Sequence, residues 1–262
     1  MPTTLAAQLY TVRNFLKTPA DIAASLKRVK QAGYDAVQLS GLGPIDPKEL
    51  ARMLKGEGLT CCATHVDFEK LRDNPEAIIE EHRILGCNFP AIGGMPWSYN
   101  KPDGYPKFID EMSKAALKLK AAGMTFGYHN HNWELARAPG GRTVLDLFIE
   151  NTDPAAWIRK VAGRIPLVHF KDMAFGVDNV STLPTKFMAE PDADYRKRCD
   201  AARAPKAIMA EVGEGNLNWP AILDACRFAG AQWHIVEQDL CQRDPFESLA
   251  ISLRNLKAMG LR

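Results

Sequence analysis

One unit recurs along these 262 residues and limits the fold more than any other feature. It is a glycine that ends a helix, then a short apolar strand, then polar chemistry at the strand's end. Ala32-Gly33-Tyr34-Asp35 leads into Ala36-Val37-Gln38-Leu39-Ser40, and Glu57-Gly58-Leu59 into Thr60-Cys61-Cys62-Ala63-Thr64-His65. Ala122-Gly123-Met124 leads into Phe126-Gly127-Tyr128-His129-Asn130-His131, and Ala162-Gly163-Arg164 into Pro166-Leu167-Val168-His169-Phe170-Lys171-Asp172. The last is Ala229-Gly230 into His234-Ile235-Val236-Glu237-Gln238-Asp239. Glycine takes the left-handed conformation that closes a helix without a Cβ penalty. Histidines and carboxylates at the carboxyl ends of parallel strands are where a β/α barrel keeps its chemistry. The pattern therefore predicts such a barrel and locates its site.

The helices start as regularly as they stop. Thr18-Pro19, Asp46-Pro47, Asn74-Pro75 and Asp244-Pro245 each set a capping side chain before proline at the first helical position. Apolar residues then recur at helical spacing, as in Ile22, Leu26 and Val29, or Phe108, Met112, Ala115 and Leu119. Strand and capped helix alternate with no linker between them, so residues 1–262 read as one α/β domain of parallel strands and crossover helices. The length suits a single barrel. A formal net charge of +2 leaves no basic footprint for nucleic acid, and no apolar run reaches membrane length. Six cysteines without disulfide or metal spacing, behind an amino terminus unlike a signal peptide, predict a reduced, cytoplasmic setting.

Strand parity sorts the polar residues. Side chains alternate faces along a strand, so Leu167, His169 and Lys171 share one face, as do Ile235, Glu237 and Asp239, and Gly127, His129 and His131. Gln8 goes with Tyr10, Gln38 with Ser40, and His65 with Asp67. Each such face turns polar towards its carboxyl end, as at a barrel mouth. Neutral imidazole and carboxylate are ligands for a divalent metal such as Mn²⁺, Mg²⁺, Co²⁺ or Zn²⁺. His169 and Glu237 are the expected principal ligands, with His129 and Glu134 as further candidates. His131 is cast as a substrate or proton-transfer group, and Glu134 doubles as a candidate acid or base. Lys171 could steady an enolate, or simply pair with Asp172 or Asp239. Gln8, Tyr10, His65, Trp97 and Trp133 are candidate substrate contacts, the tryptophans by stacking on a sugar face. His82, inside a helix, and His234, at a strand's base, read as structural. Glu211-Val212-Gly213-Glu214-Gly215 reads either as a surface hairpin before the helix at 219–229 or as part of the site. Met173–Asn218 is expected to cover the mouth as a long loop, bringing Glu211 to the pocket as an acid.

With these residues in place, the chain resembles the sugar phosphate isomerase/epimerase family, whose members have the xylose-isomerase-like TIM barrel. The matching pieces are Ala7-Gln8-Leu9-Tyr10-Thr11-Val12, Gly33–Leu39, Gly127–Glu134, Gly163–Asp172, Glu211–Gly215 and Ile235–Asp239. The resemblance implies a divalent metal held by strand-end carboxylates and a histidine, and a sugar or polyol substrate that is isomerised, epimerised or dehydrated. It is compatible with a homodimer paired through loop faces.

One departure stands out. The family's sixth strand ends in a metal-binding Asp, but here the helix Thr143–Glu150 is followed by Asn151-Thr152-Asp153-Pro154 and then directly by a second helical run from Ala155. Seven barrel strands are expected, with the strand at Phe126–His131 beside that at Leu167–Lys171 or separated from it by a gap. A lost ligand would weaken the metal site and lower turnover. The leading expectation is a metal-dependent isomerase or epimerase acting by proton abstraction next to a carbonyl. A lyase on the same scaffold, such as an inosose dehydratase or a keto-glycoside eliminase, and a catalytically impaired sugar-binding barrel are the alternatives.

Overall fold

A computed structural model describes residues 4–99, 104–129, 131, 162–163, 165–175 and 207–261. Its strands are β1 (Thr4–Gln8), β2 (Ala36–Leu39), β3 (Thr60–Val66), β4 (Pro90–Ile92), β5 (Gly127–Tyr128), β6 (Leu167–Phe170), β7 (Asp172–Phe175), β8 (Ala207–Ala210) and β9 (Trp233–Val236). The helices are α1 (Pro19–Gln31), α2 (Pro47–Glu57), α3 (Phe68–Asp73), α4 (Pro75–Leu85), α5 (Gly104–Ala121), α6 (Trp219–Ala229) and α7 (Pro245–Ala258). Seven strands form one parallel sheet in the order β5-β4-β3-β2-β1-β9-β6, curled into a half-barrel with helices outside.

The ends of the helices follow the capping logic. Thr18 and Asp21 make a reciprocal capping box at α1. Asp46, Asn74, Asn218 and Asp244 accept amide hydrogen bonds at the starts of α2, α4, α6 and α7. Gly58 and Gly230 close α2 and α6 at φ 63° and 74°, where any other residue would be strained. The short helix α3, whose first turn Asp67 caps, was not foreseen, because six residues give too little periodicity to read.

Parity is realised in the packing. Inward, Ala6, Ala36, Cys62, Ala63 and Ile235 make a small core against Leu167, Phe89 and Trp233. Outward, Ala7, Val37, Cys61, Phe170 and Val236 pack into the layer beneath the helices. Cys61 and Cys62 thus serve opposite faces of β3. The first and last helices are clamped together by Arg28, which pairs with Asp244 at 2.9 Å and lies 3.7 Å over the Phe246 ring.

Among the described residues the main sheet has the seven strands expected, and the expected seam. β5 and β6 are the two ends of the sheet and do not pair with each other. Residues 143–160, where a sixth family strand would be sought, lie outside the described residues. The covering loop expected at Met173–Asn218 needs correcting at both ends. Asp172–Phe175 and Ala207–Ala210 pair as an antiparallel ribbon, with Asp172 opposite Ala210. Phe187 and Tyr195, aromatic residues of that span that could cover a sugar, fall outside the described residues.

Two histidines are structural, as expected. His82 bonds Thr64 Oγ1 and the Ile78 carbonyl, each at 2.7 Å. His234 stacks on Phe170 with ring centroids 5.0 Å apart, and both of its nitrogens are buried without a partner among the described residues. Burial pushes His234 down to about 4, and lowers His82. An unfolded chain takes up protons on these rings below about pH 6.5, whereas the folded chain does not, so stability falls as pH drops from there towards 4. Urea unfolding should show His234 costing roughly 2 kcal/mol between pH 6.5 and pH 5, a loss that His234→Phe removes. An identical acid slope in that variant would refute the assignment.

Candidate active site and metal centre

Three imidazoles meet at the carboxyl ends of β3, β5 and β6. His65, His129 and His169 present ligand atoms that all lie within 4.8 Å of one another. The His129 and His169 rings stand 4.6 Å apart, bridging the two unpaired edges of the sheet. His65 stacks on His169 at 5.7 Å and meets His129 edge-on at 5.1 Å. Gly93 lies against the His65 ring, where a Cβ would meet Nδ1 at 3.4 Å, an ordinary contact.

Each ring has a neighbour that orients it or holds it in place. His169 Nδ1 and Glu237 Oε2 are 2.6 Å apart, and Lys171 Nζ lies 2.9 Å from the same carboxylate oxygen and 3.0 Å from Asp239 Oδ2. Ser40 Oγ stands 3.3 Å from His65 Nδ1, while His65 Nε2 is buried with no hydrogen-bond partner among the described residues. The His131 ring packs edge-on to His129 at 4.8 Å and over Gly94.

The electrostatics follow from burial and crowding. Desolvation first, then the neighbouring His169 and Lys171 charges, push His65 down to about 3 and His129 down to about 2. Both are neutral imidazoles, the form that binds metal. Burial alone would raise the Glu237 carboxyl, but the His169 hydrogen bond and the His169 and Lys171 charges hold it well below the usual carboxylate range. Burial would likewise lower Lys171, and the Glu237 and Asp239 carboxylates raise it instead. An imidazole nitrogen unpartnered among the described residues, beside two further rings, fits a divalent metal.

The remaining candidates sort by position. Gln8 is buried, with Oε1 accepting from the Tyr10 amide at 3.2 Å and Nε2 unpartnered among the described residues. Tyr10 is 37% exposed beneath the Arg13 guanidinium, and Trp97 is 50% exposed on the segment after β4. Trp133 and Glu134 lie outside the described residues. Glu211 is buried, accepts from Ser248 Oγ at 2.7 Å and pairs with Arg243 at 3.2 Å. Ser40, Gln38 and Asp239 were not singled out in sequence as site residues. Ser40 and Gln38 share the inward face of β2 and its end, and Asp239 that of β9, so parity marked all three.

The glycine-rich stretch has a definite structural task. Asp172 is 1% exposed and points away from Lys171, its neighbour in sequence. Its carboxylate accepts from the Met173 amide at 2.8 Å, the Gly213 and Gly215 amides at 2.9 and 3.1 Å, and the Trp219 indole. A Cβ on Gly215 would overlap that carboxylate. Residues 211–218 are thereby strapped to the end of β6.

No family model matches the sequence, and no curated protein matches it. Solved structures do. A sugar phosphate isomerase/epimerase from Parabacteroides distasonis aligns over 100% of this chain and 96% of its own, at 20% identity and a TM-score of 0.69. An AP endonuclease, family 2, from Brucella melitensis aligns over 95% and 97%, at 18% identity and 0.61. A probable 3-DHS dehydratase of petrobactin synthesis from Bacillus anthracis aligns over 98% and 99%, at 13% identity and 0.63. The fold is the xylose isomerase-like TIM barrel. Three chemistries on one scaffold show that the fold does not name the reaction.

Removing the Asp172 anchor strands four donors in the interior. Asp172→Ala should therefore cost on the order of 3–5 kcal/mol in urea unfolding. A loss below about 1 kcal/mol would mean that the strap is held elsewhere.

Proposed function

We propose that this protein is a divalent-metal-dependent isomerase or epimerase of a sugar, keto-sugar or polyol. The observation that carries the reading is the convergence of His65, His129 and His169 beside the Lys171–Glu237 pair at one barrel mouth. The structural likeness to a sugar phosphate isomerase/epimerase supports it. When bound, the metal supplies Lewis acidity towards a substrate carbonyl and the oxyanion that develops from it.

The chain's own residues divide the remaining work. Lys171, fixed between two carboxylates, holds an ammonium where negative charge develops, without the cost of reorienting it during reaction. His131 moves the proton at the carbon next to the carbonyl, with Glu134 as a second acid or base. Gln8 offers a buried amide donor for a hydroxyl, and Gln38 a buried amide oxygen unpartnered among the described residues. Tyr10, Trp97 and Trp133 form apolar surface for a sugar face. Glu211 acts from the strapped segment, held by Ser248 and Arg243. The partner is a small-molecule sugar or polyol in a cytoplasmic setting, the protein itself working as a homodimer. The dehydratase among the structural neighbours favours a second reading, in which the same proton abstraction expels a β-leaving group.

Incubating the metal-loaded protein with ketoses and inososes in D₂O separates the readings by NMR. Deuterium appearing next to the carbonyl is the expected result, and loss of water would favour the lyase. A panel showing neither leaves a sugar-binding barrel and sinks the enzyme. His169→Ala should abolish both metal retention and exchange, and full metal stoichiometry in that variant would contradict the assignment.

A further inference from the structure

Among the described residues the metal-ligand cluster at the mouth is made of imidazoles, and two of its rings are already turned. His169 spends Nδ1 on Glu237, which leaves only Nε2 for an ion. His65 has Nδ1 beside Ser40 and a buried Nε2 that is unpartnered among the described residues. Glu237 is differently placed. The oxygen hydrogen-bonded to His169 Nδ1 also accepts from the Lys171 ammonium at 2.9 Å. A carboxylate shared with a fixed ammonium is a poor ligand, because a dication bound to it would sit close to that positive charge.

Resting on the reading that the mouth is metal-dependent, we propose that His65, His129 and His169 are the metal ligands, and that Glu237 is the positioning carboxylate behind His169. His65, which parity marks only as facing the mouth, is thereby a ligand, and Glu237 is not. Carboxylate–histidine–metal arrangements of this kind fix the ring's tautomer and raise its basicity as a ligand. A three-imidazole set selects the metals that imidazole suits, zinc and cobalt(II) among them, over magnesium, which demands oxygen ligands. Ligand atoms in a tetrahedral zinc site stand roughly 3.4 Å apart. The present spread of up to 4.8 Å means that the rings draw together on loading.

The test uses the full chain, stripped with a chelator and titrated with Zn²⁺, Co²⁺ and Mg²⁺ alone, with the visible absorption of bound Co²⁺ as the readout. One equivalent of zinc or cobalt, undisturbed by excess magnesium, is expected. His65→Gln should lose the cobalt bands. Glu237→Gln should keep one equivalent and the bands, with affinity about 10–100-fold weaker. A folded His65→Gln with an unchanged cobalt spectrum, or a Glu237→Gln that binds no metal at all, overturns the proposal. X-ray absorption at the zinc edge of the unaltered protein guards against a misfolded variant. Three imidazoles in the shell support the assignment, and one imidazole among oxygens overturns it. If zinc binds through three imidazoles and no sugar exchanges deuterium, the isomerase reading fails alone. If exchange runs in an oxygen-rich site, the ligand assignment fails alone.

Discussion

A parallel sheet can be built only by returning the chain through a crossover after each strand, and every consequence seen here descends from that constraint. All seven carboxyl ends of the main sheet open on one side, so residues distant in sequence become neighbours without any local motif joining them. His65, His129 and His169 meet because β3, β5 and β6 end together, although only β5 and β6 are sheet edges. Among the described residues, those two edges leave backbone groups without a strand partner, and the imidazole contact is what spans them at the mouth. An open seam in a barrel is ordinarily a liability. Here it coincides with the place where the chemistry is concentrated.

Much of this was legible in the sequence because it is local. Proline after a capping side chain and glycine at a helix end are decided within four or five residues, and the structure shows both. Parity is also local, and it placed Ile235 and Leu167 in the inner core and Glu237 and His169 at the mouth. Illegible were the features that depend on residues brought together by the fold. β7 and β8 are four residues each and pair across a long intervening segment, so neither carries a readable period. Asp172 looked like a partner for Lys171, yet adjacent residues on a strand face opposite ways, and its carboxylate is spent on Gly213, Gly215 and Trp219. Nothing in the sequence around His65 tells that its Nδ1 meets Ser40, since the contact crosses from β3 to the end of β2.

The charge balance of the mouth joins these threads. Among the described residues, Lys171 is met by two carboxylates, Glu237 and Asp239, and two of the clustered imidazoles are driven neutral chiefly by burial. The two carboxylates outnumber the one lysine, with the His169 ring hydrogen-bonded to Glu237 beside them. Carboxylates placed in this way attract a cation without having to touch it. On the reading proposed above, an acid lost with a sixth strand would be missed for its ligand atom more than for its charge, because Asp239 supplies a negative charge through Lys171. Neutral rings can then take up the coordination that carboxylates would otherwise provide. The chemistry at the mouth is in this way set less by how many acids the strands carry than by which of them are already committed to a lysine.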